Sequence, residues 1–150
     1  MRRSLVSWST GWVVLLFCLL LPAQASAERF KAFDQYEVHY NALNTTFLPP
    51  EVANTYSIQR SKVRGLINVA ILDRANNGKP VTAVVSGEIR NLVGQTQDLS
   101  FKMVREGVAV YYIAEFRFTD DEILNFDLRV QPDPNAAAYA VEFKQHFYVD

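Results

Sequence analysis

Leu124-Asn125-Phe126-Asp127-Leu128-Arg129-Val130 (LNFDLRV) alternates apolar and polar side chains without a break. Successive side chains of an extended chain point to opposite faces, so this stretch reads as a strand with one face on a core and one in water. Working outward, Pro132 to Asn135 makes a turn, and Val141, Phe143 and Phe147 point inward on a last strand. On the other side, Thr119-Asp120-Asp121 turns the chain. Before that turn, Val110, Tyr112, Ala114 and Phe116 line one face of a strand, and Tyr111, Ile113 and Glu115 line the other.

The same grammar continues toward the N-terminus. Arg105-Glu106-Gly107 reads as a tight turn, and Leu99, Phe101 and Met103 alternate with Ser100 and Lys102. Asn91 to Gln95 (NLVGQ) is a connection, and Val81 to Arg90 a strand in which Gly87 marks a bulge or a close neighbour. Asp73 to Pro80 is dense in turn formers, with Asn77-Gly78 able to supply positive φ. Leu66 to Leu72 is apolar on both faces and reads as a central strand, and Tyr36, Val38 and Tyr40 alternate with Glu37 and His39. Short strands at this spacing predict an all-β fold, an immunoglobulin-like β-sandwich of about seven antiparallel strands.

One stretch breaks the pattern. Residues 44–57 read as an irregular, short-helical insertion, in which Pro50 opens a helical turn because a proline's missing N–H costs nothing there. Asn41, Asn44, Thr45 and Thr46 are expected to cap the irregular backbone. Phe47 and Leu48 are expected to plug one end of the sandwich; the competing reading makes them the lip of a groove. If Tyr56 to Arg64 is extended, Arg60, Lys62 and Arg64 project from one face, with Glu37 and Glu88 as expected partners and Gly65 as a bend or bulge.

The first 27 residues are read as a cleaved secretory leader. Arg2 and Arg3 precede the apolar run Gly11 to Leu21, and Ala25-Ser26-Ala27 supplies small residues for cleavage. That leaves residues 28–150 as one sandwich domain in the periplasm, with no transmembrane segment. The only cysteine, Cys18, and both tryptophans, Trp8 and Trp12, leave with the leader. Removing Arg2 and Arg3 from the 15 basic residues leaves 13 against 16 acidic ones, a balance that argues against nucleic-acid binding.

NALNTTFLPPEVANTYSIQRSKVRGLINVAIL from Asn41 to Leu72, NLVGQ from Asn91 to Gln95, and VREG…YYIAEF between Val104 and Phe116 are similar to a family of small exported proteobacterial proteins, domain of unknown function 4426. The resemblance spans essentially all of residues 28–150. It implies a bacterial periplasmic protein with an immunoglobulin-like sandwich, and it supplies no activity and no catalytic residues.

The chemistry-bearing residues give no catalytic motif: there is no Gly-x-Ser-x-Gly, Ser-x-x-Lys or His-Glu-x-x-His. His39, His146 and Met103 are too few for a soft-metal site, so neither a metal nor another cofactor is expected. Asp120-Asp121-Glu122 reads as a solvated turn. The expectation is a non-catalytic binding module for a protein or peptide partner, with Asn44, Phe47, Leu48, Glu51, Arg60, Lys62 and Arg64 as its binding residues. The alternative is an enzyme, or a carrier of a small anionic ligand, that uses the Arg60/Lys62/Arg64 face. A deep polar pocket beside that face favours the alternative, and a shallow apolar groove or an open sheet edge favours the module.

Overall fold

The computed structural model describes residues 29–150; the leader read from residues 1–27 lies outside them. The described residues form ten strands: β1 (Arg29–Phe33), β2 (Tyr36–Asn44), β3 (Arg64–Asp73), β4 (Lys79–Pro80), β5 (Val84–Asn91), β6 (Thr96–Asp98), β7 (Lys102–Glu106), β8 (Ala109–Arg117), β9 (Glu122–Gln131) and β10 (Tyr139–Phe147). One α-helix, α1 (Pro50–Thr55), and two single 3₁₀ turns, Thr45–Phe47 and Arg74–Asn76, interrupt them. All pairings are antiparallel. One sheet runs β1-β2-β3-β8-β7, with β4 also paired to β3, and the other runs β10-β9-β5-β6. This is the expected β-sandwich.

Seven of the ten strands are those that the alternation predicts. The other three carry too little pattern to be seen: β4 and β6 have two and three residues, and β1 is a largely exposed edge. Two boundaries also move. The strand expected from Val81 begins at Val84. The one expected around Leu99 to Met103 begins at Lys102 and takes in Arg105 and Glu106, leaving Gly107, with φ of 58°, to make the turn.

The inner faces meet in one core. Val38, Tyr40 and Ala42 of β2 pack with Ile67, Val69 and Ile71 of β3, and with Leu124, Phe126, Leu128 and Val130 of β9. Its centre is aromatic. Phe116 stands edge-on to Phe126 and Phe147, at centroid distances of 5.3 and 5.2 Å, and Phe126 stacks on Phe143 at 4.4 Å. Such edge-on and stacked rings contribute beyond their buried area and fix one arrangement of the core.

Both interior glycines are close approaches. A Cβ on Gly87 would lie 2.7 Å from the Asp127 carbonyl, as a close neighbour predicts. Gly65 is not the expected bend: it sits in register opposite Phe116, and its missing side chain makes room for that ring.

Candidate functional site beneath the β2–β3 connection

β2 and β3 are antiparallel neighbours whose register closes at Asn44 opposite Gly65. A two-residue turn can join such a pair. This chain spends residues 45–63 there, a length that in compact domains usually serves function.

The connection folds onto the outer face of the larger sheet. Pro50 occupies the first turn of α1, as expected. Ala53 and Ile58 are buried against Leu66 and Ile113, with Leu48, Tyr56, Val104 and Tyr111 packed around them as a second apolar cluster. This is why β3 is apolar on both faces: β9 and β10 lie beyond one, and the connection covers the other. Buried Thr45 fixes the return path. Its hydroxyl donates to the Ser61 carbonyl at 3.2 Å and accepts from the Ser61 N–H at 2.9 Å. Ile58 donates its N–H to the Ala53 carbonyl at 2.8 Å, Gln59 its N–H to Glu115 Oε1 at 3.1 Å, and Lys102 Nζ donates to the Tyr56 carbonyl.

Between the connection and the sheet lies a shallow groove of about 280 Å³. Leu48, Val52, Tyr56 and Ile58 form the wall from the connection. The sheet supplies the rest: Leu43, Leu66 and Ile113 as apolar floor, Val104 and Tyr111 toward the β7 edge, and Asn41, Asn68 and Glu106 as the polar groups. Asn41 and Asn68 are register partners on β2 and β3. Asn68 Oδ1 is buried, with no hydrogen-bond partner among the described residues. Glu106, at the rim, makes no ion pair among the described residues.

The expected site residues divide. Leu48 belongs to the groove. Asn44 is buried, and its Nδ2 donates to the Tyr148 carbonyl at 2.9 Å and to Asp150 Oδ2 at 3.0 Å, so it ties β2 to the chain beyond β10. Phe47 does not plug the sandwich: it is 70% exposed, beside a second hollow shared with Asn44 and Tyr148. Glu51 is exposed in the first turn of α1, away from the groove.

The extended run that would align the three cations does not form. Residues 56–63 are irregular rather than extended, because burying Ile58 and bonding Ser61 to Thr45 turns the backbone twice. Arg60 donates to the Thr46 carbonyl at 3.0 Å, Lys62 lies in a turn, and Arg64 begins β3 with Glu115 at 3.9 Å. Nor are Glu37 and Glu88 the partners: Glu37 pairs with Arg74 and Glu88 with Arg90.

Most groove residues were not singled out by sequence reasoning. Val104, Glu106, Tyr111, Ile113 and Asn68 come from three strands, and only sheet order brings them together. One signal existed: a strand apolar on both faces but broken by Asn68 needs a cover with a polar gap.

His39 and His146 lie on strands of different sheets. His39 Nε2 meets Glu37 Oε2 at 3.1 Å. His146 is exposed, with Nε2 2.7 Å from Asp121 Oδ1 and the Tyr148 hydroxyl 2.9 Å from Nδ1. The described residues bring together no group of three or more His, Cys, Asp or Glu side chains able to hold a metal ion. None of their helices is long and apolar enough to cross a membrane.

Asp150 closes the network around Asn44. Hydrogen bonds first from Thr46 (2.7 Å) and then from Asn44 hold its carboxyl below the ordinary value. A depressed carboxylate contributes stability above its unfolded pKa and loses it as pH falls through the folded one. Thr46→Val is therefore expected to destabilise the protein at pH 7 by an amount that shrinks in acid, as pH falls through the folded-state pKa of Asp150, while the Asp150 carboxyl titrates closer to an ordinary aspartate. NMR titration of Asp150 beside melting curves at pH 7 and in acid checks this; an unchanged titration refutes it.

Residues 30–150 match the family described as Domain of unknown function (DUF4426). The chain belongs to this family. A DUF4426 family protein from Pseudomonas aeruginosa, known from its crystal structure, is 35% identical, with a TM-score of 0.72 over 82% of this chain and 96% of that one. A copper-bound variant of FetP from uropathogenic Escherichia coli is 12% identical, with a TM-score of 0.58 over 81% of this chain and 95% of that one. FetP as isolated gives 0.57 at 12% identity, over 81% and 93%. At that identity the likeness to FetP is one of fold. No curated protein matches this chain.

Proposed function

We propose that this DUF4426 protein is a periplasmic, non-catalytic binding module that holds a segment of a protein or peptide partner in the groove beneath the β2–β3 connection. One observation carries the reading: a connection far longer than its strand pair needs is folded into the wall of a largely apolar groove, which Asn41, Asn68 and Glu106 line as polar groups. The floor residues Leu66 and Ile113 are buried under the connection, while its wall residue Val52 is left exposed at the groove. The leader-like first 27 residues support export.

The anion-carrying alternative has less support. It rests on a row of cations, whereas Arg60 and Arg64 are each engaged by a different neighbour.

Selection of displayed peptides on the domain tests the reading. Peptides enriched on the native domain are expected to lose at least tenfold in affinity for Val52→Glu. Val52 is a partly exposed groove wall, so this change is expected to leave the melting temperature within a few degrees. If nothing is enriched, or the enriched peptides bind Val52→Glu as well as the native domain, the groove is not the site. Fractionation of cells carrying the full chain tests the compartment, and a cytoplasmic product overturns it.

A further inference from the structure

We infer that β7 is a self-pairing edge: two copies of this chain join β7 to β7 antiparallel, in the register that sets Lys102 of each copy opposite Glu106 of the other. The contact lies on the strand edge and does not depend on what the groove holds.

The strand order of the larger sheet ends at β1 and β7, and that of the smaller sheet at β10 and β6. Three of these edges suit a second copy badly. On β10, Lys31 Nζ donates to the Glu142 carbonyl at 3.0 Å and occupies the edge. β6 has only three residues. β1 has five, but pairing it with itself about its middle residue sets Lys31 against Lys31. That leaves β7.

The backbone of β7 is laid out for a partner. Only Gly107 and Val108 connect it to β8, so Glu106 and Ala109 close the hairpin as a hydrogen-bonded pair. Such pairs alternate with non-hydrogen-bonded ones along an antiparallel ladder. Lys102, Val104 and Glu106 therefore spend their backbone groups on β8, while those of Met103 and Arg105 point to the open edge. Among the described residues no side chain bonds to them there.

The side chains choose the register. β7 reads Lys-Met-Val-Arg-Glu. Turned end for end about Val104, it sets Lys102 opposite Glu106 at both ends, Val104 opposite itself and Met103 opposite Arg105. Met103 and Arg105 are then the residues that exchange backbone hydrogen bonds, so the edge-facing groups meet their complements. Lys102 and Glu106 fall in non-hydrogen-bonded pairs, where opposite side chains stand closest. Glu106 makes no ion pair among the described residues, and the Lys102 ammonium, which gives one proton to the Tyr56 carbonyl, keeps two more. Met103, 49% exposed, is covered by the apolar stem of Arg105 from the second copy.

Charges on an edge strand ordinarily hold strands apart. Here they differ in sign at the two ends and match in this register. Centring the pair on Arg105 sets that cation against itself, and centring it on Met103 leaves Glu106 opposite Ser100. The contact is isologous, as a two-fold dimer requires. A five-residue edge buries less than a standard interface, so the dimer is weak and forms in the micromolar range. Opposite residues share a face, so both grooves open on the same side of the joined sheet.

The test uses the domain of residues 28–150. A DUF4426 relative known from its crystal structure aligns over 96% of its own chain, so this part of the chain folds alone. Sedimentation from micromolar to millimolar concentration is expected to show a monomer–dimer equilibrium that weakens in high salt. Glu106→Lys and Lys102→Glu are each expected to weaken it at least about tenfold, because each turns two attractive pairs into repulsive ones. An equimolar mixture of the two variants is expected to form a heterodimer, since opposite charges meet again at both ends. The only cysteine of the sequence, Cys18, lies outside the domain, so Val104→Cys supplies its single thiol. The two-fold sets that thiol opposite its own copy, with Cα atoms about 4.5 Å apart, a separation that a disulfide spans. Mild oxidation is expected to cross-link it at least about tenfold faster than Val108→Cys, whose thiol is freely exposed but lies away from the two-fold.

A domain that stays monomeric at millimolar concentration overturns the inference. So does a dimer that neither charge variant weakens, or a mixture of the two that recovers nothing. Equal cross-linking of Val104→Cys and Val108→Cys overturns it as well, because residue 104 then does not sit on a two-fold. None of these results touches the proposed function, which peptide selection and Val52→Glu test separately.

Discussion

Gly65→Ala is expected to destabilise the protein by about 3 kcal/mol, at the upper end of what overpacking costs, and to lower the melting temperature by roughly 10 °C. An added Cβ would lie 2.2 Å from Phe116 Cζ and 2.4 Å from Cε2, distances that no native contact tolerates. The ring cannot simply move aside. Phe116 is 1% exposed and held edge-on between Phe126 and Phe147. Replacing a strand glycine by alanine ordinarily gains about 0.5–1 kcal/mol, and overpacking is several times larger, so the net sign is unfavourable. Phe116→Leu alone also destabilises, through the cavity it leaves. Combined, the two changes are expected to cost at least 1 kcal/mol less than the sum of the single effects, because the smaller side chain vacates the space that the new methyl enters. Chemical denaturation of the four proteins measures this coupling. A Gly65→Ala variant that melts within 2 °C of the native protein removes the contact from the account.

The same glycine shows where the sequence stopped being legible. A glycine inside a strand announces a special position, and the sequence offers conformation or proximity as the cause. At Gly65 it is proximity, since the residues with positive φ are elsewhere, at Gly78, Gly94 and Gly107 among the glycines. Which ring needs the space depends on the β3–β8 register, and register between strands so far apart in sequence is a tertiary fact. By contrast, the faces of β2, β8 and β9 were legible residue by residue, because alternation is local and the core reads it directly.

The cation row failed for a related reason. Its argument required residues 56–64 to be extended, and nothing in Arg60, Lys62 or Arg64 themselves decides that. Ile58 and Thr45 decide it: one is drawn into the outer cluster and the other captures the Ser61 backbone. Once the chain bends, the charges go to whichever neighbours the bend provides. The groove was legible only as a requirement, since an outer face of Leu66, Asn68, Ala70 and Leu72 needs a cover. Its rim on β7 comes from residues about forty positions downstream, beyond the reach of any local pattern.

Thr45→Val is expected to release the connection without dismantling the sandwich. The substitution keeps the branching of a fully buried side chain and puts a methyl in place of its hydroxyl. Two backbone groups of Ser61, the N–H and the carbonyl, then lose their shared partner. A buried group left unsatisfied costs about 1–3 kcal/mol; Ser61 is only half-buried, so water recovers part of that for both groups. A net loss of about 2 kcal/mol follows, which corresponds to roughly thirtyfold faster opening of the segment that Thr45 holds. The loss should be local, because Ala53 and Ile58 belong to the outer cluster and share no buried side chain with the aromatic centre. Amide hydrogen exchange at Ile58 and Ser61 is therefore expected to accelerate about thirtyfold, with protection in β3 and β9 unchanged. Peptides selected on the native groove should weaken in parallel, because Tyr56 and Ile58 lose their fixed positions in its wall. Thr45→Ser, which restores the hydroxyl, is expected to recover most of both effects. If Thr45→Val instead accelerates exchange equally in the connection and in β9, the connection folds as one unit with the sandwich and its separate hold on the groove is refuted.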